Sequence, residues 1–448
     1  MNHISKNRQG WRRFIKPLIA VATVASCATT TAVIAAPQVG ASSPVTITYL
    51  THWGPTQVNM LKADAAAFHK INPNITVDFQ AVPFGNLLST IDTQGPSGNG
   101  WTIAGVYDLW LPALVNGGLA ASAPSADASD VKANWPANLV ADVTKSGAVR
   151  GFPNEVDLYA LNYNKALFKA AGIAQPPANW TELVTDAKKL TIPSKGQQGF
   201  GVITDWAAGV VHPWLSLVDS DGGSLLTGLT PNLKSRAPMA ASNLYAELVK
   251  AGSTVATMST ANAETTGPYL DNFTSGKTAM IIMANWWEAD LQSAMGSKFS
   301  DIGTAPIPIG PNGTKSSSVS YSWLTIVNGK ANSAKQAAAW EFLQYLNGPK
   351  SGTKGSSAMG DALISMGILP SRLSDVTAHK AQLNSPFLKT YVSELPNATP
   401  FPTVLGGEQM TDTLQTAIES IDFGQASPAA AMQSAQSQIS SILKSANR

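Results

Sequence analysis

Cysteine and charge are the scarcest features of this chain. Cys27 is the only cysteine among 448 residues, so no disulfide can form within the chain. Charged residues make up only 13% of the sequence, which argues against nucleic-acid binding, because that requires clustered Lys and Arg. The hydrophobic fraction of 44% excludes a disordered protein. The length is sufficient for two domains of ordinary size, and we find no internal repeat.

Motifs of common enzyme classes are also absent. The sequence has no Gly-x-Ser-x-Gly, no His-Glu-x-x-His and no P-loop. The run Asp219-Ser220-Asp221-Gly222 resembles the start of a calcium loop, but the later ligands and the terminal Glu are missing. We therefore predict no metal, no cofactor and no catalytic residues, and we expect a protein that is not an enzyme.

The N-terminus has the pattern of an export signal. Its first 41 residues contain five basic residues and no acidic ones, and an apolar run begins at Leu18. Removing those five from the 30 Lys and Arg leaves 25 against 28 Asp and Glu, a formal charge of −3. The overall charge of +2 therefore reflects targeting and says nothing about partners.

Three fates are open for this N-terminal segment. Val24-Ala25-Ser26-Cys27 resembles the lipobox of bacterial lipoproteins, which predicts a diacylglycerol on Cys27. Alternatively, the signal is cleaved near Ala36 or Ala41, or residues 17–36 remain as a weakly hydrophobic anchor helix. The first fate predicts a protein tethered to the outer face of the cell membrane, and the second a secreted or periplasmic protein.

Residues 152–190 carry the most informative pattern. Glu155 and Asp157 precede or begin a strand with two apolar faces, which is typical of a strand buried in an α/β lobe. A helix capped by Asn164 follows and ends at Gly172, and a second helix begins at Asn179. This order predicts a chain that passes between two lobes, with acids at the crossing.

This stretch resembles the family 1 extracellular solute-binding proteins of ABC importers, the group that includes maltose-binding protein. The motifs that carry the resemblance are Pro153 with Asp157, then Tyr163-Asn164-Lys165, then Pro176-Pro177-Ala178-Asn179-Trp180-Thr181-Glu182-Leu183. Phe273-Thr274-Ser275-Gly276-Lys277-Thr278-Ala279-Met280, followed by Trp286, is similar to a later strand of the family, although Ala284-Asn285 replaces its Gly-Pro. The resemblance spans residues from about 45 to 445.

The expected fold is α/β in two lobes. Alternating apolar residues at 45–49 and 75–79, with a helix pattern between them, predict parallel strands joined by a helix. The resemblance implies a type II-like periplasmic-binding-protein fold with a multi-strand hinge and a ligand cleft between the lobes. The predicted limits are export signal and tether at 1–44, lobe 1 at 45–155 plus 277–328, and lobe 2 at 156–276 plus 329–448.

The twelve tryptophans separate into two groups. Trp135, Trp180 and Trp340 are expected to pack in the core. Others lie where strands end, and flat aromatic rings with neighbouring acids suit the faces and hydroxyl rims of sugars. The resemblance implies that Trp286 stacks on a sugar and that Asp157 accepts hydrogen bonds from the hydroxyl groups of that sugar. The full set of candidate ligand contacts is Trp53, Asp108, Trp110, Glu155, Asp157, His212, Trp214, Trp286, Trp287 and Trp323.

The function implied by the resemblance is capture of a mono- or oligosaccharide and its delivery to the permease subunits of an ABC importer. Ligand that bridges both lobes would stabilise the closed form. We expect a monomer that touches the membrane only through its N-terminal tether. Two alternatives stay open: the same fold binding a polyamine, peptide or polyol phosphate, and a secreted enzyme acting on polysaccharide.

Overall fold

The computed structural model of the chain describes residues 43–204, 206–259 and 268–448. Cys27 and the rest of the predicted export signal lie outside these residues, so the lipid tether stays a prediction. Among the described helices, none combines the length and the apolar character that a membrane span requires.

Strands and helices alternate along the chain. The described strands are β1 (Val45–Thr51), β2 (Ile75–Ala81), β3 (Ile103–Tyr107), β4 (Thr144–Lys145), β5 (Ala148–Val149), β6 (Gly151–Pro153), β7 (Glu155–Asn164), β8 (Gln198–Gly201), β9 (Leu226–Thr227), β10 (Thr230–Pro231), β11 (Thr278–Ala284), β12 (Ile302–Ala305), β13 (Val319–Tyr321), β14 (Trp323–Val327), β15 (Leu369–Pro370) and β16 (Thr399–Pro400).

The helices cover and connect these strands. Those described are α1 (Pro55–Ile71), α2 (Phe84–Gln94), α3 (Leu111–Asn116), α4 (Ser125–Asn134), α5 (Ala137–Val143), α6 (Lys165–Ala170), α7 (Trp180–Leu190), α8 (Ala207–Ser220), α9 (Arg236–Lys250), α10 (Pro268–Thr274), α11 (Glu288–Met295), α12 (Ser333–Leu346), α13 (Ala358–Ile364), α14 (Leu373–Ala378), α15 (Lys380–Leu383), α16 (Leu388–Glu394), α17 (Gly407–Asp422) and α18 (Pro428–Ala446).

The first large sheet has five strands in the order β2-β1-β3-β14-β6. Strands β1, β2 and β3 run parallel, as the alternating apolar residues predict, and β14 runs antiparallel to β3 and β6. Helix α1 joins β1 to β2 and buries the predicted stripe of Val58, Leu61, Ala65 and Phe68. Because both faces of a parallel strand are covered, this sheet forms the centre of one layered core.

The second large sheet is built around β7. It has seven strands in the order β16-β13-β7-β11-β8, with β12 and β15 also paired to β7. Nine of the ten residues of β7 are buried, which agrees with the two apolar faces predicted for this segment. A strand that pairs along its whole length leaves few unsatisfied backbone groups, so β7 can be buried at low cost.

The chain passes between the two sheets at two neighbouring points. Strand β6 lies in the first sheet and β7 in the second, with only Asn154 between them. Ser322 likewise separates β13 from β14. The Asn154 N–H donates to the Trp323 carbonyl at 3.0 Å, so the two passages lie side by side. Strand β11 belongs to the second sheet, and the predicted limits of the lobes stay a prediction.

The predicted helix starts after β7 are confirmed. The Asn164 Oδ1 accepts the N–H groups of Ala166 and Leu167 at 3.0 and 3.1 Å. The Asn179 Oδ1 accepts the Glu182 N–H at 3.0 Å, and the Glu182 carboxylate accepts the Ala178 N–H at 2.7 Å. These bonds satisfy donors that the first turn of a helix leaves unpaired.

Core packing agrees with the expectation for three tryptophans. Trp135, Trp180 and Trp340 are buried in the main apolar core. The Trp180 Nε1 donates to the Pro308 carbonyl at 3.0 Å, and the Trp135 Nε1 donates to the Ser371 Oγ at 3.1 Å. The N–H groups of Trp135 and Trp180 are therefore satisfied without solvent.

The Asn164 cap should stabilise the protein measurably. Replacing Asn164 with Ala removes two bonds to the first turn of α6 and should lower the free energy of unfolding by about 1 kcal/mol. Ser235 is a matched control, because it occupies the same position before α9 without a side-chain bond. Ser235→Ala should change stability by no more than about 0.5 kcal/mol. Urea unfolding of both variants is the measurement, and equal effects would contradict a capping role.

Candidate ligand-binding site

The candidate site is a cavity of about 450 Å³ at the ends of strands from both large sheets. The first sheet contributes residues at three strand ends. His52 and Trp53 follow β1, Tyr107 ends β3, and Trp323 begins β14. Because neighbouring strand ends meet at one edge of a sheet, side chains far apart in sequence converge there.

The second sheet contributes the opposite part of the lining. Glu155 and Asp157 lie at the start of β7, and Tyr321 ends β13. Trp286 and Trp287 follow β11 in a short 3₁₀ turn. All of these positions lie close to the two passages between the sheets, so the geometry of those passages fixes the cavity.

Glu155 and Asp157 form a buried acid pair. They are two residues apart on one strand, which puts both side chains on the same face. Their exposed fractions are 3% and 1%, and their carboxyl groups hydrogen-bond to each other. Burial, with Asp157 as a charged neighbour, raises the pKa of Glu155 well above its usual value. Burial also raises the pKa of Asp157 to about 7, although bonds from Asn285 and Glu155 oppose the shift. Glu155 is therefore the proton donor of the pair.

Asn285 holds Asp157 in place. Its Nδ2 donates to the Asp157 Oδ1 at 2.8 Å, and its Oδ1 accepts the Leu158 N–H at 2.9 Å. Asn285 is fully buried, so this double contact fixes one oxygen of Asp157 against β7. The sequence departs from the family motif at this position, because Ala284-Asn285 replaces Gly-Pro. That departure did not indicate that Asn285 holds Asp157.

Trp286 has its indole held by a tyrosine. Its Nε1 donates to the Tyr321 Oη at 2.6 Å, so the N–H group already has a partner. Its ring lies 4.2 Å from that of Trp287 and 6.1 Å from that of Trp206, measured between centroids. Trp287 is almost fully buried, whereas Trp286 is partly exposed, so Trp286 is the indole that can offer contact area to a ligand.

Aromatic rings also line the cavity on the side of the first sheet. The ring of Trp323 lies 4.3 Å from His52, 6.1 Å from Phe84 and 6.2 Å from Tyr107. Burial lowers the pKa of His52 to about 4, so its imidazole is neutral near pH 7. This part of the lining is thus aromatic and uncharged.

The structure brings six of the ten predicted residues together around the cavity. These six are Trp53, Glu155, Asp157, Trp286, Trp287 and Trp323. Three of the six belong to the first half of the chain and three to the second, so the grouping depends on the two sheets. Whether each one touches ligand remains a prediction.

Asp108 and Trp110 are not among the residues that line the cavity. The Asp108 Oδ2 accepts the Ser322 N–H at 2.8 Å, and the Asp108 side chain is buried. The Trp110 Nε1 donates to the Glu408 Oε2 at 2.8 Å, which ties the 3₁₀ turn after β3 to α17. Both side chains therefore stabilise the fold next to the passage at Ser322.

His212 and Trp214 also lie outside the cavity lining, since both are fully buried in α8. The His212 Nε2 is 2.9 Å from the Tyr107 Oη, so His212 supports a residue of the lining. Burial lowers the pKa of His212 to about 3. The Trp214 Nε1 donates to the Ser242 Oγ at 3.2 Å, inside the helical layer. The helical conformation of this segment turns both side chains inward.

Several residues of the lining were not among the predicted contacts. They are His52, Gly54, Gln57, Phe84, Tyr107, Trp206, Ala208, Ala289, Asp290, Tyr321, Met366 and Ile368. His52 and Tyr107 stand at strand ends, which is a signal that sequence patterns contain. Met366 and Ile368 lie in an irregular segment after α13, and no local pattern indicates that it reaches the cavity.

Among the described residues, no group of three or more His, Cys, Asp or Glu side chains could hold a metal ion. At the calcium-like run, the Asp221 Oδ1 accepts the Asn312 N–H at 2.7 Å. The Asn312 Nδ2 lies 3.1 Å from both carboxylate oxygens of Asp221. Asp221 therefore has a structural partner in the loop before β13.

Comparison with known proteins defines the family. The pattern of the family described as bacterial extracellular solute-binding proteins matches residues 54–353, and this chain belongs to that family. A Brucella abortus protein designated only as a binding protein is 27% identical over 383 residues, which cover 84% of this chain and 88% of that one. A Deinococcus radiodurans protein named "Probable ABC transporter-binding protein" is 25% identical over 349 residues, 75% of this chain and 79% of that one.

Solved structures show the same fold. The GacH receptor of Streptomyces glaucescens, studied unliganded and with acarbose, has a TM-score of 0.75 at 20% identity over 89% of this chain and 98% of its own. The MalE3 protein of T. maritima, solved with maltose, has a TM-score of 0.76 at 20% identity over 89% and 100% of the two chains. The predicted two-lobed α/β fold, similar to maltose-binding protein, is confirmed.

The raised pKa of Asp157 predicts that the free energy of unfolding depends on pH. The usual value is 3.8 and the folded value is about 7, so the native state binds more protons than the unfolded state between these values. The free energy of unfolding should therefore fall as pH rises through this range. Asp157→Asn should reduce that fall, because Asn does not titrate.

Urea unfolding near pH 4 and near pH 7 measures this effect. One pKa unit corresponds to about 1.4 kcal/mol, so the benefit of Asp157→Asn should reach a few kcal/mol at neutral pH and vanish in acid. The control is Asp78→Asn, because Asp78 is exposed on β2. An equal benefit of Asp157→Asn at both pH values would contradict a raised pKa.

Proposed function

We propose that the protein captures a mono- or oligosaccharide in the cavity between its two sheets and delivers it to the permease subunits of an ABC importer. The observation that carries this proposal is the composition of the cavity. Partly exposed indoles of Trp53, Trp286 and Trp323 share it with the buried acids Glu155 and Asp157. Sugars combine apolar C–H faces with hydroxyl rims, and this lining offers contacts to both.

The acids suit hydroxyl groups in particular. The Asp157 Oδ1 is held by Asn285, so its orientation is fixed before ligand arrives. A preorganised carboxylate loses little conformational entropy when it accepts a hydrogen bond from a hydroxyl group. The acarbose complex of the GacH receptor and the maltose complex of MalE3 support the sugar class, because both proteins share this fold.

A phosphorylated ligand is disfavoured by charge. Among the described residues that line the cavity there is no Lys or Arg, whereas Glu155, Asp157 and Asp290 are acidic. Phosphate binding typically relies on Arg, Lys or a helix N-terminus to neutralise the anion. This lining therefore argues against a polyol phosphate among the alternative ligands.

The geometry of the acid pair also argues against a glycosidase. A hydrolase needs two carboxyl groups on opposite sides of the scissile bond, about 5 to 10 Å apart. Glu155 and Asp157 hydrogen-bond to each other from one strand, so no glycosidic bond fits between them. We therefore infer binding without turnover.

Closure of the two lobes on the ligand would supply the signal to the importer. A ligand shifts the equilibrium only by its difference in affinity for the two forms. Because the cavity is lined from both sheets, a bridging sugar gains contacts in the closed form that it lacks in the open one. Cells that lack this protein should lose uptake of that sugar.

Trp286→Ala should weaken sugar binding by roughly tenfold or more, since loss of such a contact area removes about 1–3 kcal/mol. A thermal-shift screen of mono- and oligosaccharides would identify the sugar, because ligand that binds the folded state raises its apparent stability. Isothermal titration of that sugar then gives the affinity. Trp180→Phe is the control, because Trp180 packs away from the cavity. Unchanged affinity of Trp286→Ala would remove this indole from the site.

Purified protein should leave its sugar unaltered. Incubation with the identified oligosaccharide, followed by chromatography of the products, should return the intact compound, because the acid pair has no space for a glycosidic bond. Glu155→Gln serves as the comparison for any trace hydrolysis. Release of shorter sugars that disappears in Glu155→Gln would establish an enzyme in place of a binding protein.

A further inference from the structure

The ligand cavity contains acidic side chains without a basic partner. Glu155, Asp157 and Asp290 line it, and no Lys or Arg among the described residues does. The ion pairs found in the described parts of the chain all lie elsewhere. His52 is the one basic type among the described lining residues, and the burial that lowers its pKa to about 4 keeps it neutral.

One oxygen of the acid pair also lacks a partner. Asp157 accepts from Asn285, and the pair shares a hydrogen bond. The Glu155 Oε2 is shielded from solvent, and no described group donates to it. Glu155 is 97% buried, and an unsatisfied buried acceptor costs free energy. The acid pair is therefore one hydrogen-bond donor short.

The aromatic lining suits a cation as well as a sugar ring. Trp53, Trp206, Trp286 and Trp323 line the same cavity and are all partly exposed. The face of an indole attracts an ammonium group, with the largest effect where water is excluded. Acids and indoles in one cavity therefore offer two independent sources of attraction for positive charge.

We propose that the ligand is a sugar that carries a basic nitrogen, and that its ammonium group lies against Glu155 and Asp157. This inference rests on the proposed sugar-binding function. A neutral sugar can donate hydrogen bonds from its hydroxyl groups to the pair but brings no positive charge. An ammonium group supplies both the missing donor and the missing charge. A polyamine supplies them too, but it has no ring face to cover several indoles.

Proton exchange should accompany binding of such a ligand. Asp157 has a pKa of about 7, so it holds a proton in a large fraction of the molecules below that pH. An ammonium group beside it favours the ionised form, and the displaced proton goes to solvent. Titration in two buffers of different ionisation enthalpy counts the protons released. A neutral sugar has hydroxyl groups alone and brings no positive charge that would favour ionisation of Asp157, so it should not release a proton in this way.

The test compares matched sugars that differ in the nitrogen. One series is the chitosan trisaccharide with free amines, the same sugar N-acetylated, and cellotriose. The second is acarbose against maltotetraose. Binding to the full chain is measured by isothermal titration at a pH at which the amines are protonated. In at least one series we expect the amine to bind roughly tenfold or more tightly than its neutral partner, with proton release.

Variants connect this preference to the acids. Asp157→Asn keeps the size of the side chain and removes the group that ionises, so the preference for the amine should fall to about one. Asp78→Asn removes an exposed acid far from the cavity lining and should leave the preference unchanged. Thermal unfolding of each variant establishes that it is folded before titration.

The remaining outcomes overturn the inference in distinguishable ways. Equal or tighter binding of the neutral sugars overturns it and leaves the proposed sugar-binding function standing. Failure of every amine-bearing sugar to bind also overturns it. Spermidine that binds more tightly than any sugar overturns both proposals. A preference for the amine that persists in Asp157→Asn contradicts the assigned position of the ammonium group.

Discussion

Strand β7 is the constraint on which the rest of the structure depends. Its ten residues pair with β11, β12, β13 and β15, so the second sheet is organised around it. It also begins two residues after the end of β6, which belongs to the first sheet, with only Asn154 between them. Acids at its start must therefore lie where the two sheets meet. The cavity, the acid pair and the passage between the sheets share this one origin.

Burial at this meeting point determines the chemistry of the cavity. Neighbouring carboxyl groups out of water favour protonation, and Asn285 opposes this by donating to Asp157. The result is one acid that keeps its proton and one that titrates near neutral pH. The indoles nearby stay partly exposed because strand ends cannot be covered from all sides.

The predicted fold was accessible from the sequence because its signals are local. The caps at Asn164 and Asn179, the alternation in β1 and β2 and the stripe of α1 all depend on neighbours within a few residues. The site was predicted less well. His212 and Trp214 are among the candidate ligand contacts, but both are buried in α8, which contains Pro213. A helical segment buried on all sides carries no periodic signal.

The sequence by itself determined the α/β elements, the acids at the crossing and the Trp286 position, since each follows from local pattern or family motif. Only the tertiary structure decided which side chains share the cavity. Tyr321 reaches Trp286, and Asn285 reaches Asp157 across 128 positions, because sheet register brings β7, β11 and β13 together. Register is set by packing of whole sheets, so no local segment contains that information.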